Sequence, residues 1–300
     1  MRFILIGLLA GLCPVGAAPV PKGVVDETTG LITFRNCRLI ATEWSDGDSF
    51  RVLFRDNSFH TLRLYGVDCF ETSERHPTDQ RRLRSQRAYF GIAGSGGNER
   101  SSIKSALMLG SAAKDRVAEL LADPFTVHTA WADGRGHPHH KRYYAFITEA
   151  TGRDLGRVLV REGLARAFGV ARARGVGVNR EEYRKRLGDE ELAAASRRVG
   201  AWKLTDWESL PEERRVERVR EEEERLRALP LERASLNPNT ASKLELMRLP
   251  GVGEVIAMRI IEAREEEAYL APLDLQRVVG IGKHTIEKMA PYLSFEGKTP

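Results

Sequence analysis

Apolar and polar residues alternate along residues 31 to 68: Val52 and Phe54 come before Asp56-Asn57, and Leu62, Leu64 and Val67 come after it. A period of two interrupted by a turn pair predicts three short strands in a meander. Thr72 to Ile103 is polar and Arg-rich, then Gly/Ser-rich from Gly94 to Asn98, and reads as an inserted loop in which Asp79 to Phe90 can turn helical. Ala106 to Leu121 has apolar residues at helical spacing and is expected to be the first core helix. Phe125–Trp131 and Tyr143–Thr148 alternate again, joined by the polar loop Asp133–His140, and Leu155–Phe168 and Glu181–Val199 read as two further helices.

Residues 208 to 232 break the pattern. They are dense in alternating charge and bounded by Pro211 and Pro230, which predicts an exposed spacer helix. From Ser235 the chain reads helix, Gly-x-Gly turn, helix, and then repeats: the turns are Gly251–Gly253 and Gly280–Gly282. The expected organisation is therefore a domain over 31–207, a spacer over 208–232 and a small all-α domain over 233–296. Five strands and three helices in the first domain suit an α+β fold, an oligonucleotide-binding-type five-stranded β-barrel elaborated with helices.

The net charge of +5 is unevenly spread. Residues 31–207 carry 30 Lys/Arg against 22 Asp/Glu, whereas 208–232 carry 6 against 9 and 233–296 carry 8 against 9. The basic excess thus falls on the first domain, as a phosphate-bearing partner would require. At the N-terminus, Arg2, the apolar run Phe3–Leu12 and small residues through Ala18 form the pattern of a secretory signal peptide over 1–17, followed by a linker over 18–30. The mature chain is then expected to be secreted or periplasmic. The run is far short of the ~20 residues that span a bilayer, so no membrane anchor is expected. Leu12 is too bulky before Cys13 for a lipidation signal. Cys37 and Cys69 remain, the first expected to begin a strand and the second to lie near the opposite end of the sheet, as two separate thiols.

Antiparallel pairing is expected to bring Asp48, at the start of one strand, beside Asp68, at the end of the next. Two carboxylates converging with a backbone carbonyl suit a hard cation such as Ca²⁺. Arg63, on the second strand, can reach an anion held there.

Asp46-Gly47-Asp48-Ser49-Phe50, Arg63 and Val67-Asp68-Cys69-Phe70-Glu71 resemble the Asp-Gly-Asp-Thr, Arg and Val-Asp-x-Pro-Glu pattern of the staphylococcal nuclease (thermonuclease-like) family. Lys141-Arg142-Tyr143-Tyr144 looks like that family's second arginine opening a strand, Leu155–Phe168 resembles the helix that follows, and Gly200-Ala201-Trp202 resembles its closing corner. The resemblance covers roughly residues 31 to 207. It implies a metal-dependent endonuclease in which Asp48, Asp68 and the Cys69 carbonyl bind Ca²⁺. Arg63 and Arg142 would hold the phosphate, and Glu71 would position or deprotonate water, leaving a 3′-phosphate. Asp46 and Gly47 are expected to shape the turn. Ser49 replaces the family's Thr, Phe70 its Pro and His140-Lys141 its Tyr-Gly, with one residue added between Asp48 and Arg63. Of these, Phe70 bears most on how Glu71 is aimed.

The C-terminal repeat resembles the tandem helix–hairpin–helix module of bacterial competence-type DNA receptors. That resemblance implies sequence-independent DNA binding through Gly251, Gly253, Gly280, Gly282 and Lys283, with the turns approaching phosphates. The expected partners are DNA and, for the first domain, RNA. The competing class is a non-catalytic DNA-binding receptor. His137-Pro138-His139-His140 has no ligand partner at metal spacing. Gly280-Ile-Gly-Lys-His-Thr has Arg277 where a phosphate-binding P-loop needs its first glycine.

Overall fold

The computed structural model describes residues 23–134, 141–175, 177–228 and 230–295. The expected signal peptide, the first part of the linker and the His137–His140 tract lie outside the described residues. The chain divides into two compact units, Met1–Glu213 and Arg214–Pro300. The first is α+β with a mixed sheet, and the second is helical.

In the first unit β1 (Val24–Val25), β2 (Ile32–Ile40), β3 (Ser49–Leu53), β4 (Phe59–Leu64) and β5 (Val67–Cys69) come first. Then follow α1 (Pro77–Phe90), α2 (Glu99–Leu120), β6 (Phe125–Asp133), β7 (Arg142–Thr148), α3 (Leu155–Arg161), β8 (Ala165–Ala167) and α4 (Arg180–Arg197). The main sheet runs β1-β2-β3-β4-β7-β6, and β2 also pairs with β6. Only β4 and β7 run parallel. Alternate residues of these strands (Phe50, Val52, Leu62, Leu64, Val127, Ala145 and Ile147) fill one core with Val117 of α2 and Tyr183 and Leu187 of α4.

Five expectations are corrected. The strand expected through Asp68 stops at Leu64, because Gly66 takes a left-handed φ of 67° and turns the chain. Asp68 therefore lies on β5, which pairs with β8 in a separate two-stranded sheet. The helix expected over 155–168 ends at Arg161; Gly163 follows at φ 69°, and a Cβ there would stand 2.3 Å from the Val199 carbonyl oxygen, so the chain turns and re-emerges as β8. The inserted loop of 72–103 does hold a helix where one was allowed over 79–90, starting at Pro77, but its last residues already belong to α2, which starts at Glu99 rather than Ala106. Pro77 opens α1 and Asn98 caps α2 by accepting a hydrogen bond from the Ser101 amide, signals that the polar composition masked. Lastly, β2 runs through Cys37 rather than starting there, and the strands number more than five.

Cys37 and Cys69 are free and buried. Burial pushes the Cys37 thiol up to about 12 and raises Cys69 as well, with the carboxylates of Asp48 and Asp46 adding to the latter. Both stay uncharged.

Next comes α5 (Leu210–Ala228), and the division between the units falls within it. The second unit continues with α6 (Lys243–Leu246), α7 (Glu254–Glu266) and α8 (Lys283–Met289). Leu246, Ile260, Tyr269, Leu275 and Met289 form its core.

Candidate active site and nucleic-acid interface

The site in the first unit begins with the turn before β3. The Asp46 carboxylate accepts hydrogen bonds from the amides of Asp48 (3.0 Å) and Ser49 (2.6 Å), fixing an Asx turn that delivers Asp48 to the strand end, as expected of a turn-shaping residue. Burial raises the Asp46 carboxyl well above its ordinary range, and the neighbouring Asp48 and Glu71 add to the effect. Asp48 is itself fully buried. Its Oδ1 accepts a hydrogen bond from the Ser49 hydroxyl at 2.6 Å.

Asp68 reaches the same place from β5. Arg63 Nη2 stands 3.3 Å from Asp48 Oδ2 and 3.3 Å from Asp68 Oδ1. The two carboxylates thus converge on one cationic nitrogen, and hard oxygen donors converging on a positive charge are the chemistry that Ca²⁺ requires. The third expected ligand is differently engaged: the Cys69 carbonyl accepts from Gln86 Nε2 at 2.7 Å. Among the described residues no group of three or more His, Cys, Asp or Glu side chains is arranged to hold a metal ion.

Three side chains that the sequence reading missed complete the cluster. Arg82, on α1, lies 2.8 Å from Glu71 Oε1, 3.1 Å from Asp68 Oδ1 and 3.9 Å from Asp48 Oδ2. One turn on, Gln86 donates to Asp68 Oδ2 (3.0 Å) and accepts from the Glu71 amide (3.2 Å). Arg166, the register partner of Asp68 on β8, binds Asp68 Oδ2 at 2.8 Å and stacks on Phe168 (4.2 Å) and Tyr89 (5.2 Å). Arg82 and Gln86 are four residues apart on one face of the helix allowed over 79–90, a spacing visible in the sequence but with nothing local to link it to Asp68. Arg166 was hidden by the helix expected there.

This clamp also sets Glu71. The backbone beside Phe70 is held from both sides. Gln86 bonds the carbonyl of Cys69 and the amide of Glu71, and α2 crosses at Gly110, where a Cβ would lie 2.5 Å from the Glu71 carbonyl oxygen and 2.8 Å from that of Phe70. The Phe70 ring stacks on Phe90 at 5.0 Å. Burial pushes the Glu71 carboxyl up to about 7; Arg82 opposes this, while Asp48 and Asp68 reinforce it. Asp68 goes the other way. Burial would raise it, but Arg166, Arg82 and the Gln86 hydrogen bond outweigh that and hold it below its usual range. Two neighbouring carboxyls pushed in opposite directions allow one to carry a proton while the other keeps its charge.

Arg142 opens β7 beside Thr61 of β4, and its Nη1 lies 3.5 Å from the Ser49 hydroxyl. Burial, and then the charge of Arg63, lowers its pKa. The structure therefore brings together Asp48, Arg63, Asp68, Glu71 and Arg142, the five side chains singled out from the sequence, and adds Arg82, Gln86 and Arg166.

In the second unit the two Gly-x-Gly turns are built alike. Gly251 and Gly280 take positive φ (84° and 102°), and Gly253 and Gly282 are the capping residues of α7 and α8, with no side chain capping either helix. Each first glycine packs on the helix that follows the other turn: a Cβ on Gly251 would meet Thr285 at 3.0 Å, and one on Gly280 would meet Ile256 at 3.4 Å. Gly253 and Gly282 have nothing within 4 Å of a Cβ position, so internal packing does not demand glycine at either. A helix–hairpin–helix motif family model matches residues 232–294. No curated protein matches the chain. The motif supports DNA binding by this unit.

The two turns differ in charge. Lys283 is exposed at the start of α8, whereas α7 begins with Glu254, paired to Lys243 at 2.7 Å. Arg259 donates to the Val279 carbonyl (2.8 Å) and Arg248 to that of Pro230 (3.0 Å), so both brace the fold.

Proposed function

We propose that the first unit is a Ca²⁺-dependent endonuclease of the staphylococcal nuclease type, and that the second holds DNA for it without reading sequence. The observation that carries this reading is the convergence of Asp48, Asp68, Glu71, Arg63 and Arg82 on one buried cluster, with Glu71 pushed to about 7. The pairing of β2 with both β3 and β6 supports a closed five-stranded barrel of the oligonucleotide-binding type as its frame.

In this reading Asp48 and Asp68 would hold the cation, with the Cys69 carbonyl available if Gln86 releases it. Bound there, the cation would neutralise phosphoryl charge. Arg63 and Arg142 orient the phosphate and stabilise the charge that develops on it, and Arg82 is a third guanidinium within reach. Glu71 accepts a proton from the attacking water, with a pKa matched to neutral operation. A 3′-phosphate product and action on RNA as well as DNA belong to the same proposal. So does export: the N-terminal pattern would deliver the protein outside the cytoplasm. Tethering by the second unit would raise the local concentration of substrate.

One observation favours a binding-only reading: Asp48 and Asp68 are already neutralised by Arg63, Arg82 and Arg166. Plasmid DNA incubated with the full chain, with Ca²⁺ and with excess chelator, separates the two, using Arg142→Ala as control. The nuclease reading expects cutting only with Ca²⁺, lost in the control. Intact DNA in every lane with a gel shift supports the receptor.

A further inference from the structure

The register of β3 and β4 extends the site along the sheet. The pairs Ser49–Arg63, Arg51–Thr61 and Leu53–Phe59 follow at two-residue steps, so their side chains share one face, and Arg142 joins it beside Thr61. On that face the Arg51 guanidinium lies 5.6 Å from the Trp44 ring centroid and 5.0 Å from that of Phe59. The two rings are 48% and 53% exposed, and neither belongs to a core cluster. The Arg51 guanidinium has no hydrogen-bond or ion-pair partner among the described residues, and its Nε is buried without one. Trp44 stands two residues before Asp46, so this aromatic–arginine ladder begins at the turn that delivers Asp48.

An unpaired guanidinium between two half-exposed aromatic rings, in line with the arginines of a phosphate site, is unusual for a solvated surface. The aromatic faces could have been buried, and the charge could have been neutralised as it is at Arg63, Arg82 and Arg166. We infer that Trp44, Arg51 and Phe59 form a track for single-stranded nucleic acid leading to Arg63 and Arg142. Bases stack on the two rings, and a phosphate pairs with Arg51. The inference rests on the reading of the Arg63 cluster as a phosphodiester site. It specifies a single strand because a duplex hides the base faces that the rings would need.

The test measures binding of the full chain, in chelator, to a labelled single-stranded oligodeoxynucleotide and to a duplex of the same length. Trp44→Ala with Phe59→Ala should weaken single-strand binding about tenfold for each stacked base. Arg51→Gln should reduce the salt slope by about 0.7. Duplex binding, which the second unit can supply, should stay as in the wild type, and Trp44→Tyr with Phe59→Tyr should restore the single-strand affinity. Unchanged single-strand binding would overturn the track and leave the ladder an internal clasp. An equal loss on duplex would overturn the single-strand preference. Plasmid cleavage in Ca²⁺ separates this inference from the reading it rests on. Wild-type cutting with unaltered single-strand binding in the variants sinks the track alone, whereas loss of single-strand affinity in a protein that cuts nothing keeps the track and removes the nuclease.

Discussion

Asp68 in the first unit is gripped by Arg63, Arg82, Gln86 and Arg166, while the capping residues Gly253 and Gly282 in the second have open space where a side chain would stand. Both regions are proposed to meet phosphate, one through buried, interlocked charges and the other through exposed backbone. Buried charges are costly unless each is paired: burial raises Glu71 despite Arg82, whereas Arg166, Arg82 and Gln86 together hold Asp68 below its usual range. An exposed glycine turn shifts nothing and holds no proton. Chemistry is therefore expected from the first and residence on DNA from the second, and their variants should separate cleanly.

The largest separation is expected at Arg63. Arg63→Ala removes a charged donor from the phosphate and the counter-charge shared by Asp48 and Asp68, so the cleavage rate should fall at least hundredfold. Duplex affinity measured by gel shift should stay within about twofold of the wild type. A parallel loss of affinity would show that the two units do not divide the work.

Next is the pH profile. The proposed mechanism uses Glu71 in its ionised form, and a pKa of about 7 means that this form is lost as pH falls. The rate at saturating Ca²⁺ should drop about tenfold per unit below pH 7 and level off above it. Binding by the Gly-x-Gly turns should show no such limb. A rate that is flat from pH 5.5 to 8 removes Glu71 as the base.

Gly110→Ala probes the clamp without touching a charge. Its Cβ would meet the Glu71 carbonyl at 2.5 Å, so the backbone must shift, at a cost of about 1–3 kcal/mol. For a domain of this size that is a fall in Tm of several degrees, with reduced cleavage. Gly253→Ala, in open space, should leave Tm unchanged.

The smallest effect sharpens the contrast within the second unit. Lys283→Ala should lower duplex affinity a few-fold and reduce the salt slope by about one. Lys243→Ala frees Glu254 at the other turn and should have little effect. Equal losses would make the two turns equivalent.

The sequence made the side chains of the site legible, because Asp48, Arg63, Asp68, Glu71 and Arg142 lie in short segments with a recognisable order. It hid their partners for identifiable reasons. Arg82 and Gln86 lie in a polar stretch where a helix could be read over 79–90, but nothing local aims that helix at the Asp48–Asp68 turn; Pro77 marks only where it starts. Arg166 sits just past Gly163, on a three-residue strand too short to show alternation. The break after Leu64 turned on Gly66, one glycine within an otherwise strand-like run. The second unit was easier to read: two Gly-x-Gly turns, each ahead of a helix, are a local signal that needs no long-range contact.

The most direct test of the account is to measure cleavage and duplex affinity in one preparation of Glu71→Gln beside the wild type, with Ca²⁺ present. The account predicts that the wild type cuts, that Glu71→Gln cuts at least a hundredfold more slowly, and that both hold duplex DNA equally. A wild type that binds without cutting, or a Glu71→Gln protein that cuts as fast, would contradict it.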